Sequence, residues 1–150
     1  MFLLGICTFV GVVAMAMIIS GSIMMFINLP SLLIVIPPAV LITLASSSKQ
    51  SRCHAVKLLL SEDINLGKVE LIAAKQVFTT FGNMNMLMGW VGVVIGAIAM
   101  ANTINGENIS QVFGPAFSVC VLTLFYALLI KALCYAAEAK IQFKIITLAP

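Results

Sequence analysis

The chain has 150 residues, of which 62% are apolar and only 9% are charged. Because about a quarter of the residues in a soluble domain are charged, this composition excludes a soluble globular fold and indicates a membrane protein. The formal net charge of +3 comes from scattered lysines and arginines that form no basic stripe. This distribution argues against nucleic-acid binding.

The charged residues divide the chain into apolar runs that are long enough to cross a bilayer, for which about 20 residues are needed. The first uncharged run, 1–48, is too long for one span and is interrupted by the Asn-Leu-Pro-Ser sequence of residues 28–31. Since proline suits the first turn of a helix, we predict a helical hairpin with its turn at 27–30. The sequence therefore predicts an all-α membrane protein with four transmembrane helices, at about 3–25, 31–47, 84–104 and 113–136.

Two local features modify this pattern. Pro37 and Pro38 lie inside the second predicted helix and remove backbone hydrogen bonds, which predicts a kink or break there. The polar segment 48–83 contains apolar residues at helical spacing over 67–81, which predicts an amphipathic helix leading into the third span. This segment is too small to form a domain, so we predict a single transmembrane domain over 1–150.

The positions of lysine and arginine predict the orientation of the helices. All of these residues fall in 48–75 and 131–144, whereas the turns at 27–30 and 105–112 have none. Because cytoplasmic loops are enriched in Lys and Arg, we expect both termini and the segment 48–83 in the cytoplasm.

No predicted span has an acidic residue at its centre. The five acidic residues are Glu62, Asp63, Glu70, Glu107 and Glu138. A proton or cation pathway normally uses a buried carboxylate, so the titrating group of any ion pathway must come from another chain. His54 is the only histidine, and the four cysteines form no C-x-x-C pair. We therefore expect no metal, no cofactor and no enzymatic activity.

Small residues line one face of the third and of the fourth helix. In the third helix they are Gly89, Gly92, Gly96, Ala99 and Thr103. Such a face lets another backbone approach closely. It is interpreted either as packing against the first or second helix of the same chain or as a subunit interface or pore wall.

In the fourth helix the corresponding stripe is Ala116, Cys120, Thr123, Ala127 and Cys134. The Thr123 hydroxyl has two possible roles: a bond to its own helix backbone or a contact with a carboxylate of a partner helix. The second role makes Thr123, with Ala116, Cys120 and Ala127, a candidate ion pathway.

Two stretches resemble the A-subunits of bacterial flagellar stators and, more broadly, the MotA/TolQ/ExbB proton-channel family. The first joins the Ser-Gly-Ser of residues 20–22 to the run 26–35, with its Asn-Leu-Pro-Ser, and is similar to the turn between helices one and two of the family. The second is similar to the core of helices three and four. It comprises Gly89, Trp90, Val91, Gly92 and Gly96, then Gly114-Pro115-Ala116 and residues 122–127.

The resemblance implies a ring of five A-type subunits in the bacterial inner membrane. The ring surrounds the single-span helices of two B-type subunits, each with a transmembrane aspartate that binds the ion. Ion passage would turn the ring, so the electrochemical gradient drives work. In this reading Gly114 and Pro115, with the glycine face of helix three, contribute to packing or to a subunit interface.

The chain departs from the family in its cytoplasmic segment and in its hydroxyl groups. Family members have a large cytoplasmic insertion between helices two and three, where this chain has only 48–83. Sodium-type members have threonines where Val93 and Leu124 stand, and of these hydroxyls only Thr123 remains, which favours protons. The short segment also leaves a second hypothesis open, a structural scaffold or accessory subunit that conducts no ions.

Overall fold

The computed structural model describes residues 2–60, 66–103 and 109–147, and the regular structure in these ranges is helical. The elements are α1 (Phe2–Ile19), a short 3-10 helix (Ile23–Phe26), α2 (Leu29–Ser46), α3 (Lys49–Leu60), α4 (Lys68–Thr103) and α5 (Ile109–Thr147). Four of them, α1, α2, α4 and α5, are long and apolar enough to cross a membrane. The chain is thus an all-helical, multi-pass membrane protein, and the predicted number of spans is confirmed. Glu62, Asp63, Glu107 and half of the predicted turn at 105–112 lie outside the described residues, and 109–112 belong to α5.

The connection between α1 and α2 is longer than the predicted turn at 27–30. α1 ends at Ile19 instead of residue 25, because Gly21 has a φ of 143°, a backbone conformation that favours glycine. The Ser22 side chain then caps the 3-10 helix by accepting a hydrogen bond from the Met24 N–H. Asn28 caps α2 by accepting from the Ser31 N–H, and a proline occupies its first turn, as the sequence predicted.

α2 continues from Leu29 to Ser46 through Pro37 and Pro38, so the predicted break does not occur. Pro37 and Pro38 lack only the two N–H groups that would donate to the carbonyl oxygens of residues 33 and 34. The helical bonds on either side of this pair persist, and Val35 and Ala39 are fully buried around it. Packing on the neighbouring helices holds the segment in helical geometry.

α4 and α5 are much longer than predicted. The amphipathic segment 67–81 and the third span 84–104 form one helix of 36 residues, and α5 has 39 residues and ends at Thr147 instead of 136. At 1.5 Å per residue these helices are about 54 and 58 Å long, whereas the hydrocarbon core is about 30 Å thick. Their charged residues all lie within 68–75 and 131–144. We call this part of the α4–α5 hairpin the charged end, which extends about 25 Å beyond the apolar part.

α3, which the sequence analysis did not predict, packs against the charged end. Together the three helices form a small hydrophobic core, which consists of Ala55, Leu58, Leu71, Ala74, Ile141 and Ile145. Arg52 of α3 also caps the end of α2, because its guanidinium donates to the carbonyl oxygens of Leu44 and Ser47. The predicted amphipathic segment is therefore one wall of a three-helix core.

The α1–α2 hairpin lies beside the α4–α5 hairpin. α2 packs on both α4 and α5 and buries Ser31, Val35, Ala39 and Thr43. α1 contacts α5 but buries none of its own residues. The α4–α5 hairpin is therefore the centre of the fold, and α1 is its least integrated helix.

The core at the charged end gives a first prediction. Replacement of the fully buried Leu71 by Ala removes apolar contacts and leaves a cavity, so we expect the free energy of unfolding to fall by about 2–5 kcal/mol. Val69, two residues away and 79% exposed, provides the matched control. Val69→Ala should change stability by no more than about 0.5 kcal/mol. Equal unfolding midpoints of the two variants in detergent would contradict the proposed core.

Candidate functional site

The two small-residue stripes predicted on the third and fourth helices face each other. Gly89 lies against Ala127, Gly92 against Thr123 and Gly96 against Cys120. A methyl group placed on these glycines would lie 2.5, 2.3 and 2.1 Å, respectively, from side-chain atoms of α5. Only a residue without Cβ allows this approach. We call this contact between α4 and α5 the glycine seam.

The glycine seam answers the question that the sequence left open for this face. The three glycines are buried inside the chain, and their partner is α5, not the first or second helix that the sequence analysis named. The seam continues to Gly82, which lies against Cys134. Cys120 adds a weak bond across the seam, since its thiol donates to the Val93 carbonyl at 3.6 Å.

Four other residues of the predicted site lie at or beyond the edge of the seam. Ala99, Gly114 and Pro115 are exposed in this chain, and Ala116 is half-buried with its carbonyl oxygen facing Gly96. Gly114 has open space around it. These residues are not brought together with Thr123 in the single chain.

Thr123 of α5 is fully buried, and its side chain contacts the start of α2. Its Oγ1 lies 2.6 Å from the Val119 carbonyl oxygen and 3.0 Å from the Ser31 Oγ. The Ser31 hydroxyl also lies 3.3 Å from the same carbonyl oxygen. The two hydroxyl protons are therefore shared among three oxygens, and the Thr123 hydroxyl engages both its own helix backbone and another helix.

A second set of hydrogen bonds joins the α1–α2 connection to α5. The Tyr126 hydroxyl donates to the Phe26 carbonyl oxygen and accepts from the Asn28 N–H at 2.9 Å. The Phe26 ring packs on Phe125, with 6.1 Å between the ring centroids. Because backbone groups inside a bilayer need partners, Tyr126 satisfies two groups that the end of the hairpin leaves free. We call Asn28, Ser31, Thr123 and Tyr126 the hydroxyl cluster.

The hydroxyl cluster lies deep along the apolar part of α5. Thr123 is 14 residues from the start of α5 at Ile109, a distance of about 21 Å along the helix. α2 begins beside this point, so the α4–α5 hairpin continues about 20 Å past the α1–α2 connection. On its other side, Thr123 is eight residues from Lys131 at the start of the charged end, or about 12 Å along α5.

Asn85 is a buried polar residue that the sequence analysis missed. It lies between Gly82 and Gly89 on the seam face and has no exposed surface. Its Nδ2 donates to the Phe81 carbonyl at 2.8 Å, but its Oδ1 has no hydrogen-bond partner. The signal in the sequence was its position, because residues 82, 85, 89, 92 and 96 follow the three- and four-residue spacing of a single helix face.

Lys131 marks the boundary between the apolar part and the charged end. Its ammonium donates to Asn83 Oδ1 at 2.8 Å and lies 3.6 Å from a Glu138 carboxylate oxygen. Both partners belong to the same chain. The Glu138 carboxylate offsets the charge of the lysine, and Asn83 accepts one of its hydrogen bonds.

No protein-family model matches this chain, and no curated protein of similar sequence is found.

The glycine seam gives a second prediction. Gly96→Ala places a methyl group 2.1 Å from the Cys120 sulfur, so the thiol must rotate away from the Val93 carbonyl or the helices must separate, and we expect a loss of about 1–3 kcal/mol in stability. Gly114→Ala is the control, because Gly114 has no atom within 4 Å of the added methyl group. The control should be neutral or gain up to about 1 kcal/mol from helix propensity. Thermal unfolding of both variants in one detergent checks the difference, and a Gly96→Ala variant as stable as the control would contradict the seam.

Proposed function

We propose that this chain is the A-type subunit of a complex driven by an ion-motive force. Five copies form a ring around single-span partner helices, and each partner helix carries the aspartate that binds the travelling ion. The number of copies and the type of partner follow from the resemblance to the MotA/TolQ/ExbB family. The chain itself supplies a neutral wall of small and hydroxyl-bearing residues.

One observation carries this proposal: the two stretches that carry the resemblance meet in the hydroxyl cluster. The first stretch contributes Asn28 and Ser31, and the second contributes Thr123 and Tyr126. The contacting residues are 92 and 98 positions apart in the chain. This contact is a structural observation, additional to the sequence similarity, that supports the resemblance.

The distribution of charge supports a partner that brings the acid. Within the described parts of the long apolar helices, the acidic residues are Glu70 and Glu138, and both lie at the charged end. Thr123 is 15 residues from Glu138, or about 22 Å along α5. Hydroxyl groups can solvate an ion next to a carboxylate but cannot neutralise its charge, so the pathway is complete only with a partner.

The charged end supports the proposed orientation. Together with α3, which packs on it, it carries all the lysine and arginine residues of the chain, which favours a cytoplasmic location for this end and for both termini in a bacterial inner membrane. In the proposed complex, its three-helix core stands where the larger members of the family carry their rotor-gripping insertion. The transmembrane potential supplies about 2.3 kcal/mol per charge per 100 mV to move it.

The Thr123 environment also favours the second candidate, a scaffold that conducts no ions. Thr123 has no exposed surface, and its hydroxyl is already engaged by Ser31 and by the Val119 carbonyl. An ion pathway requires this hydroxyl to turn toward the partner helix when the complex assembles. A scaffold requires no such change.

Affinity purification of the tagged chain from its native membrane in mild detergent separates the two candidates. The ion-driven complex predicts co-purification of a second chain with one transmembrane helix that contains an aspartate. Recovery of only monomers or symmetric dimers would overturn the proposal. A complete complex that gives no proton or sodium flux in proteoliposomes would establish the scaffold instead.

Substitution of Thr123 tests the pathway residue in the same proteoliposomes. Thr123→Val removes a hydroxyl without changing side-chain size, and a lost hydrogen bond to a charged group corresponds to at least about a tenfold lower flux. Thr8→Val is the matched control, since the exposed Thr8 bonds only to its own helix, at the Gly5 carbonyl. Assembly with the partner should persist in both variants. Equal flux in the two variants would remove Thr123 from the pathway.

A further inference from the structure

Two cavities lie in line between α1 and α5. The one nearer the charged end has a volume of about 350 Å³ and is lined by Phe2, Gly5, Ile6, Phe9, Ala132, Leu133 and Ala136. The second has a volume of about 210 Å³. It is lined by residues of α1 as far as Met17 and by Leu129 and Leu133 of α5. Phe9 and Leu133 line both cavities. They therefore form one apolar groove, which we call the α1 groove.

We propose that the α1 groove binds the acyl chain of an anionic phospholipid, whose phosphate is held by Lys140. The groove extends from Phe2 to Met17, a length of about 22 Å along α1. One leaflet of the hydrocarbon core is about 15 Å deep, so the groove is long enough for an acyl chain that crosses one leaflet. This site is independent of the proposed ion-driven function.

The lining of the groove fits a hydrocarbon chain better than a polar ligand. Its residues are aliphatic or aromatic, and no charged or amide side chain lines either cavity. Gly5 widens it, because no atom lies within 4 Å of the position that a Cβ would occupy. α1 buries none of its residues, so it stands away from α5 and leaves room for a chain between them.

Lys140 supplies the charge complementarity at one end of the groove. Its ammonium lies 4.8 Å from the centroid of the Phe2 ring, which lines the groove. It also donates to the Leu59 carbonyl at 3.3 Å. An ammonium has three donors, so two remain for phosphate oxygens. Among the described residues, Lys131 forms an ion pair with Glu138, whereas Lys140 forms none with a described carboxylate.

The surroundings strengthen this preference for an anion. The charged end and α3 together carry every lysine and arginine of the chain, and a basic residue near a membrane surface attracts anionic lipids. Ordinary lipid around the protein would fill the groove without regard to its headgroup. The proposal therefore predicts a headgroup preference that depends on Lys140 and an occupancy that depends on Gly5.

The test is an analysis of retained lipid. The full chain is reconstituted in bilayers of equal parts phosphatidylglycerol and phosphatidylcholine, extracted in mild detergent and analysed by native mass spectrometry. We expect phosphatidylglycerol to be enriched about fivefold over phosphatidylcholine. Lys140→Gln should reduce this ratio to about one, and Lys140→Arg should restore it. Lys68→Gln, which removes a charge elsewhere at the charged end, should leave the ratio unchanged.

A glycine pair tests occupancy of the groove separately from charge. Gly5→Leu places a side chain inside the groove and should abolish retained lipid. Gly11→Leu adds the same side chain at another open position on α1 that lines neither cavity. This variant should therefore retain lipid like the unmodified chain. Retained lipid of bulk composition, or equal retention in the two leucine variants, would overturn the proposal. A change of oligomeric state in Gly5→Leu without loss of lipid would overturn it in favour of a second copy in the groove.

Discussion

The close approach of α4 and α5 determines how the rest of the molecule is arranged. Lipid tails are as apolar as leucine side chains, so helices inside a bilayer associate through packing contacts and hydrogen bonds. The glycines of α4 supply that packing, because their hydrogens alone separate the backbone of α4 from the side chains of α5. The seam fixes the relative register of the two long helices. It thereby brings the core residues at the charged end into contact with α3 and turns the Thr123 hydroxyl toward α2.

Polar groups within the apolar part of the hairpin are few, and most have partners. In the hydroxyl cluster, Ser31 and Thr123 share protons with a backbone carbonyl, and Tyr126 satisfies two backbone groups of the α1–α2 connection. A satisfied network of this kind is stable in a medium of low dielectric constant. The Asn85 Oδ1 is different, because it is buried without a partner. The hydroxyl groups of the cluster are therefore hydrogen-bonded within the chain, whereas the Asn85 Oδ1 is not.

The sequence was sufficient to predict what depends on local chemistry and on the thickness of the bilayer. It predicted four spans, the start of α2 near its proline, and small-residue faces on two helices. It did not predict α3, the continuous α4 or the last 11 residues of α5, since the 20-residue requirement limits the length of a span but not that of a helix. The contact of Thr123 with Ser31 is also invisible in one sequence, because it joins residues 92 positions apart. At Pro37 and Pro38 the helix continues without a break, and its neighbours Val35 and Ala39 are fully buried against the other helices.

The continuity of α4 across the boundary near Lys131 has a mechanical consequence. A helix that has no loop or proline at this boundary behaves as a stiff rod, so movement of its apolar half is transmitted to its other half. A tilt of about 10° around the boundary displaces a point 25 Å away by about 4 Å. Small adjustments between neighbouring helices in the apolar part thus become displacements comparable to the width of a side chain at the far end of α4. A protein bound at that end would respond to a displacement of this size.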